Sequence, residues 1–354
     1  MNDCHTIKEI RQQPSVWRHW VDNPKLKHAC DWAREFNDRD VWFCGAGTSA
    51  YIGDIIAAGL QGASHREFRS VPTTDIVSRP HAYLASADPI FVNFGRSGNS
   101  AETLGCLDAI DALLGPSAVR LNITCNEQSA LARRTGGSQD HTLILPPETH
   151  DVGFAMTSSF STMVYSALTL FDTHTDAQST LKQCADTLDQ NWGNFESLCA
   201  DVPERIVFLG SGALAFAARE AALKVLELTA GQIPSLWEST LGFRHGPKSF
   251  VTDNTTIVIF TSSDPHARKY EHDLIAEIKS QFPLCTLHSV GPEADIELLT
   301  VKNDAWAAPL VVAAAQLMAV SYSSQLGLNI DDPFVGRGTL SRVVSGVTLH
   351  EVTP

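Results

Sequence analysis

Paired cysteines are missing from this chain. Its eight cysteines stand far apart, at Cys4, Cys30, Cys44, Cys106, Cys125, Cys184, Cys199 and Cys285, and none forms a CxxC pair. That excludes the usual signatures of structural zinc or a disulfide framework, and several lie in apolar runs where a thiol behaves as a small hydrophobe. An excess of basic residues is missing too: 26 Lys and Arg face 40 Asp and Glu, a formal charge of −14. Nucleic-acid binding needs Lys and Arg to neutralise phosphates, so no nucleic-acid partner is expected. Any anionic ligand must be captured by local groups against the average field.

Long apolar runs are also lacking. The longest candidate, "APLVVAAAQLMAVSY" (308–322), falls short of the ~20 residues a membrane helix needs and suits a buried helix. The N-terminus has no basic-then-apolar layout of a secretory signal, so a cytoplasmic location without a membrane partner is the expectation. No GxxxxGK[ST] loop, G-x-S-x-G elbow or HExxH pair occurs, which removes the usual support for nucleotide triphosphate, serine-hydrolase and zinc-protease chemistry.

What is present is an ordinary globular composition, 44% hydrophobic and 19% charged, over 354 residues, a length that favours two domains. Residues 1–40 read as helical. After them, apolar runs of four to seven residues alternate with longer helical segments, the pattern of a parallel sheet covered by helices. The pattern then recurs. "RIVFLGSGALAF" (205–216) echoes "VWFCGAGTSAYI" (41–52), and "TIVIFTSSDPHARKY" (256–270) echoes "IFVNFGRSGNSAET" (90–103). Gly45 to Gly210 and Ser97 to Ser262 share one step of 165 residues. The expectation is two similar α/β halves, 41–172 and 205–335, after an N-terminal helical segment (1–40), joined by a helical connector (173–204) and followed by a tail (336–354).

Two glycine turns carry hydroxyls at strand-to-helix junctions. "GAGTSA" places Thr48 and Ser49 just after Gly47, and "FGRSGNSAET" places Ser97, Asn99 and Ser100 after Gly95 and Arg96. The first matches a GxGxxA dinucleotide fingerprint, but the acid expected about 20 residues on has only Glu67 as a candidate, with no clean strand end. Together the turns suit a phosphate monoester: helix N-termini offer free N–H groups, hydroxyls donate to phosphate oxygens, and glycines allow close approach. Arg96 either adds charge beside that ligand or solvates the rim.

The second half supplies acid–base candidates. In "REAALKVLELTAG" (219–231), Leu223, Leu226 and Ala230 read as the apolar stripe, and Glu227 as either an exposed charge paired with Lys224 or a buried base. "GFRHGPKS" holds His245 on a Gly-Pro loop, suited to proton transfer near neutral pH, with Lys248 nearby as a candidate substrate contact. "PPETHDVGFAMTSSF" (146–160), with Glu148, His150 and Asp151, reads as a loop shaping the pocket.

Six ordered segments, "GAGTSAYIGD", "FGRSGNSAET", "ITCNE", "PPETHDVGFAMTSS", "REAALKVLELTAG" and "GFRHGPKS", resemble the sugar isomerase (SIS) domain superfamily. More narrowly they resemble its tagatose-6-phosphate ketose/aldose isomerase group, understood to act as galactosamine-6-phosphate deaminase/isomerases. The resemblance implies an α/β fold of two tandem SIS domains, each a parallel sheet flanked by helices in a flavodoxin- or Rossmann-like three-layer sandwich. It implies a homodimer with active sites near the interface, a phosphorylated amino sugar as substrate, and no cofactor, because the amino or hydroxyl group itself supports the enediol-like intermediate. Ser49, Ser97 and Ser100 would hold the phosphate, and Glu227 would move a proton between C2 and C1. His245, from the neighbouring chain, would assist ring opening, and Asp151 falls where relatives carry a glutamate in the substrate loop. Gly95 and Arg96 stand where glucosamine-6-phosphate synthases have serine and glutamine. Those synthases end with a Schiff-base lysine. Here Arg342 takes the comparable place, and a guanidinium that stays protonated is no amine nucleophile. A plain ketose/aldose isomerase, a glucosamine-6-phosphate deaminase and a non-catalytic phosphosugar-binding module are the alternatives.

Overall fold

In the computed structural model, which describes residues 4–62, 64–85, 88–134, 139–199, 201–344 and 346–353, the chain opens with two helices, α1 (His5–Trp20) and α2 (Pro24–Arg34). Asn23 caps α2 by accepting the Lys25 N–H, and Pro24 sits in the first turn where its missing N–H is harmless. The first half then alternates β1 (Val41–Cys44), α3 (Thr48–Leu60), β2 (Phe68–Ser70), α4 (Thr73–Ser78), α5 (Pro80–Leu84), β3 (Ile90–Gly95), α6 (Ala101–Leu114), β4 (Val119–Thr124), α7 (Ala130–Arg133), β5 (His141–Ile144) and α8 (Ser158–Phe171). A long helix, α9 (Ala177–Ser197), leads to the second half: β6 (Arg205–Gly210), α10 (Ala213–Leu228), β7 (Ser235–Ser239), β8 (Thr255–Phe260), α11 (Pro265–Gln281), β9 (Thr286–Gly291), β10 (Ile296–Glu297) and α12 (Ala308–Gln325).

Each half is one five-stranded parallel sheet, β2-β1-β3-β4-β5 in the first and β7-β6-β8-β9-β10 in the second. The central strands are apolar on both faces, as a sheet covered on both sides requires; every residue of β3 and β8 is buried. The repeat extends to the backbone. Gly47 and Gly212, 165 residues apart, share φ and ψ of 57°, −131° and 56°, −126°, conformations open to glycine.

A single large apolar cluster spans both halves, and smaller clusters lie on the far face of each sheet. Helix α10 packs against α12 and α3, so the shared layer is where the halves meet. Helix α1 belongs to that layer as well: Trp17 and Trp20 are buried and donate to Ser161 and Ser166 of α8 at 3.1 and 2.8 Å. The segment Asp304–Gln325 has the length and composition of a membrane span, yet all of its apolar window is enclosed by protein, the buried helix its sequence suggests.

The stripe expected on α10 is corrected. Leu223 is half-buried, Leu226 is exposed, and Ala230 lies past the helix end at φ 49°. The buried face instead carries Ala217, Ala221, Val225 and Leu228 together with Glu220 and Lys224. The small alanines let α3 and α12 come close, and that closeness encloses the two charged side chains.

Candidate active site

The carboxyl edge of the first sheet is shaped by two turns that glycine makes possible. At Gly45 a Cβ atom would sit 2.5 Å from the Ser49 backbone, so the β1–α3 turn closes tightly and places Thr48 and Ser49 in the first turn of α3. At Gly98, with φ of 62°, a Cβ would sit 2.5 Å from the Ser129 Oγ. Ser100 then caps α6, accepting the Thr103 N–H at 3.3 Å. Ser97 Oγ accepts the Asn99 N–H at 3.3 Å, and a hydroxyl that accepts from the backbone retains a hydrogen to donate.

These turns open on a cleft of about 620 Å³, within the range of small-molecule sites. Gly47, Thr48, Ser49, Ser97 and Ser100 line it from the first half. Leu223, Leu226 and Glu227 line it from α10. Phe154 and Met156 come from the loop before α8, and residues 340–344 of the tail form the remaining wall. The turn serines and the one carboxylate of the second half that sequence reasoning singled out therefore share one cavity of one chain.

Glu227 is held from behind. Its Oε2 lies 2.7 Å from Lys224 Nζ, which is also 3.1 Å from Glu220 Oε1. Lys224 Nζ donates to Thr48 Oγ1 at 3.0 Å, and that hydroxyl donates to Glu220 Oε1 at 3.2 Å. Lys224 and Glu220 are fully buried, while a quarter of the Glu227 side chain remains exposed toward the cleft. Burial disfavours the Lys224 ammonium, but its two carboxylate neighbours outweigh that and raise its pKa. Burial raises Glu220, with the nearby Lys224 only partly offsetting it. Sequence reasoning missed Glu220 and the burial of Lys224. The available signal was their spacing: Glu220, Lys224 and Glu227 fall at i, i+4 and i+7, one face of the helix.

Arg96 lines the cleft but is buried, so it does not solvate the rim. Its guanidinium is buried and donates to the carbonyls of Phe154 (3.0 Å), Gly153 (3.4 Å) and Arg342 (2.9 Å), tying the β3–α6 turn to the loop and tail. Arg342 lines the cleft and donates to the Val152 carbonyl at 2.6 Å.

The repeat provides an internal comparison. In the second half, the turn equivalent to Ser97-Gly98 is Ser262-Ser263, and it already holds an anion. The Asp304 carboxylate accepts from Ser262 Oγ and from the Ser263 N–H at 2.8 Å, and Glu271 accepts the Ser262 N–H at 2.8 Å. The turn that receives internal carboxylates in the second half has its counterpart on the open cleft in the first, there with Gly98 at φ 62°.

Four expected contacts do not line this cleft. Asn99 is spent on the backbone, its Oδ1 accepting the Ala130 N–H at 2.9 Å. Lys248 pairs with Glu277 and donates to Gln281 at 3.0 Å. His245 is exposed at the end of a short helical turn, Gly242–His245, whose Arg244 is pinned to Glu277 at 2.7 Å. Asp151 is fully buried. It accepts from the N–H groups of Thr157 (2.8 Å), Ser158 (3.1 Å) and Ser159 (3.0 Å) and from all three hydroxyls, so it satisfies the start of α8 rather than a substrate. Asp151→Ala leaves those buried donors unpaired and is expected to cost about 2–3 kcal/mol, read as a lower denaturant midpoint at unchanged slope. Among the described residues no group of three or more His, Cys, Asp or Glu could hold a metal ion.

The SIS domain profile matches residues 36–172 and 201–322. The chain is 40% identical over 368 residues to D-galactosamine-6-phosphate deaminase AgaS of Escherichia coli, covering 98% of this chain and 95% of that protein. It is 37% identical over 361 residues to the protein of that name from Shewanella sp. strain ANA-3, covering 98% and 91%. Among solved structures, tagatose-6-phosphate ketose/aldose isomerase from Escherichia coli superposes with a TM-score of 0.86 at 35% identity, over 98% of this chain and 97% of that one. Two repeated parallel sheets, a hydroxyl-lined turn pair and these full-length similarities agree: the chain belongs to the SIS domain family.

Proposed function

We propose that this protein converts galactosamine 6-phosphate and water to tagatose 6-phosphate and ammonia. The observation that carries the reading is the meeting of Ser49, Ser97 and Ser100 with Glu227 in one cleft. The phosphate sits at the two turns, where N–H groups at the starts of α3 and α6 and the seryl hydroxyls receive its oxygens. The open-chain sugar then extends toward α10. Glu227 removes the C2 proton, giving an enaminol, and returns a proton to C1, leaving an imine at C2. Water adds to that imine and ammonia departs, so carbon oxidation levels shift between C1 and C2 with no external redox partner. Lys224 Nζ, 2.7 Å from the Glu227 carboxylate, holds that carboxylate in place at the edge of the cleft. His245 of a neighbouring copy assists ring opening, which makes a homodimer the working unit. The relatives named galactosamine-6-phosphate deaminase support this choice of substrate.

The test is ammonia release from galactosamine 6-phosphate, with glucosamine 6-phosphate as the epimeric control. Release from neither overturns the reading. Ser97→Ala is expected to raise KM for the phosphorylated sugar about tenfold with a smaller change in kcat, because it removes one donor to a charged group. A steady-state comparison of the two parameters checks it. The solved relative named as a ketose/aldose isomerase favours one second reading, isomerisation of tagatose 6-phosphate without nitrogen. Aldose formation from tagatose 6-phosphate alone, with no ammonia released from either hexosamine phosphate, would select it.

A further inference from the structure

Glu9 of α1 is a buried carboxylate that the reaction above does not use. It is 7% exposed and reaches the loop that walls the cleft. The Val152 N–H donates to its Oε1, and the Gly153 N–H lies 3.3 Å from each of its oxygens. The Val152–Gly153 peptide is thereby gripped at both ends, since Arg342 donates to the Val152 carbonyl at 2.6 Å. The next peptide is held likewise, its Gly153 carbonyl facing Arg96 at 3.4 Å and its Phe154 N–H donating to the Asp331 carbonyl at 3.0 Å. Only a glycine fits this grip: a Cβ at Gly153 would sit 2.4 Å from Thr6 Oγ1 and 3.1 Å from Glu9 Oε2. Phe154 and Met156, which follow directly, line the cleft, and Met156 Sδ lies 4.0 Å from Ser49 Oγ.

We propose that Glu9 is a positioning residue of the site: its carboxylate fixes the Val152–Gly153 peptide from the N–H side, and so sets Phe154 and Met156 where the sugar chain must pass. This rests on the phosphosugar reading above and adds to it a residue on the first helix, outside the cleft. The charge is held against the preference of the fold. Burial first, then the neighbouring Asp151 and Asp331, push the Glu9 pKa from 4.5 up to about 7, despite the N–H donors. Asp151 and Asp331 are the charged groups facing it, with Arg96 and Arg342 beyond the loop carbonyls. A raised carboxylate pKa contributes stability below 4.5 that is lost as pH rises through about 7. A glutamine of the same shape would avoid that loss, so packing alone does not call for glutamate here.

The experiment is Glu9→Gln in the full chain. The variant folds, and its melting temperature falls less than that of the wild type between pH 4.5 and pH 7. At pH 8 its KM for galactosamine 6-phosphate rises about tenfold with kcat within a few-fold, because a charge-assisted grip on the loop is gone. Hydrogen exchange at the Val152 and Gly153 amides speeds up, while exchange in β3 and β8 does not. Arg342→Ala, at an exposed side chain, gives the same local loosening from the other end of the peptide, and supplies that arm should Glu9→Gln not fold. Combining the two changes adds less than their sum in KM. Unchanged amide protection at Val152 and Gly153 in the variants overturns the proposal, as does an unchanged KM in a protein that turns over the substrate. A wild type that releases no ammonia overturns the proposed reaction instead, and the exchange arm still decides the role of Glu9.

Discussion

Glu227→Gln lowers kcat for ammonia release from galactosamine 6-phosphate by about 10²–10⁴-fold, the usual contribution of a positioned general base. KM changes little, because the proposed phosphate site is elsewhere in the cleft, at the turns that carry Ser49, Ser97 and Ser100. The substitution keeps the shape and removes the ability to take a proton. Lys224 lies against Glu227, and the loss of one negative neighbour leaves it paired with Glu220 at 3.1 Å, so the fold survives and the effect reads as chemistry. Solvent-exchange of the C2 proton of the substrate measures the abstraction step directly: it stops in Glu227→Gln and persists in a variant damaged only in binding. Retention of full turnover would reassign the base.

Lys224→Met is expected to destabilise the protein by about 3–5 kcal/mol, the range for removing one partner of a buried pair and leaving the other charge uncompensated. The ammonium has no exposure, and its removal strands Glu220, which has none either. It also removes the donor that ties α10 to Thr48 at the start of α3, across the seam between halves. Chemical denaturation gives the magnitude. The companion variant Glu220→Gln, Lys224→Met is expected to recover much of the loss, since replacing a whole buried pair with uncharged groups is far milder than breaking it. If the single change costs no more than a surface substitution, the cluster is not the tie described here. Glu227 is the third member, so the stable double variant should still lose activity, because the contact that positions its base is gone.

The two-fold repeat was legible because parallel strands buried on both faces must be nearly all apolar, and because the turns between strand and helix need glycine at set places. Gly47 and Gly212 show that need in almost identical dihedral angles. The turn serines were legible for a similar reason: hydroxyls at a helix start are a local feature. Helix α10 was misread for the opposite reason. Which face of a helix is buried depends on what packs against it, and here Thr48 at the start of α3 meets the buried Glu220 and Lys224 while Leu226 stays exposed. The same holds for Asp151 and Arg96, whose roles are set by partners that fold onto them, Thr157 to Ser159 for one and Phe154 and Arg342 for the other.

The sequence by itself determined the alternation of strand and helix, the repeat and its step, the glycine turns and the residue types able to meet a phosphate and a proton. Those follow from short-range sterics and hydrogen bonding, which act within a few residues of the chain. Only the tertiary structure decided that Glu227 faces the turn serines from the other half, that Lys224 and Glu220 are sealed behind it, and that Glu9 on the first helix holds a loop more than a hundred residues away. Burial and pairing of charges depend on which distant surfaces are brought together, and the local pattern of side chains does not encode that.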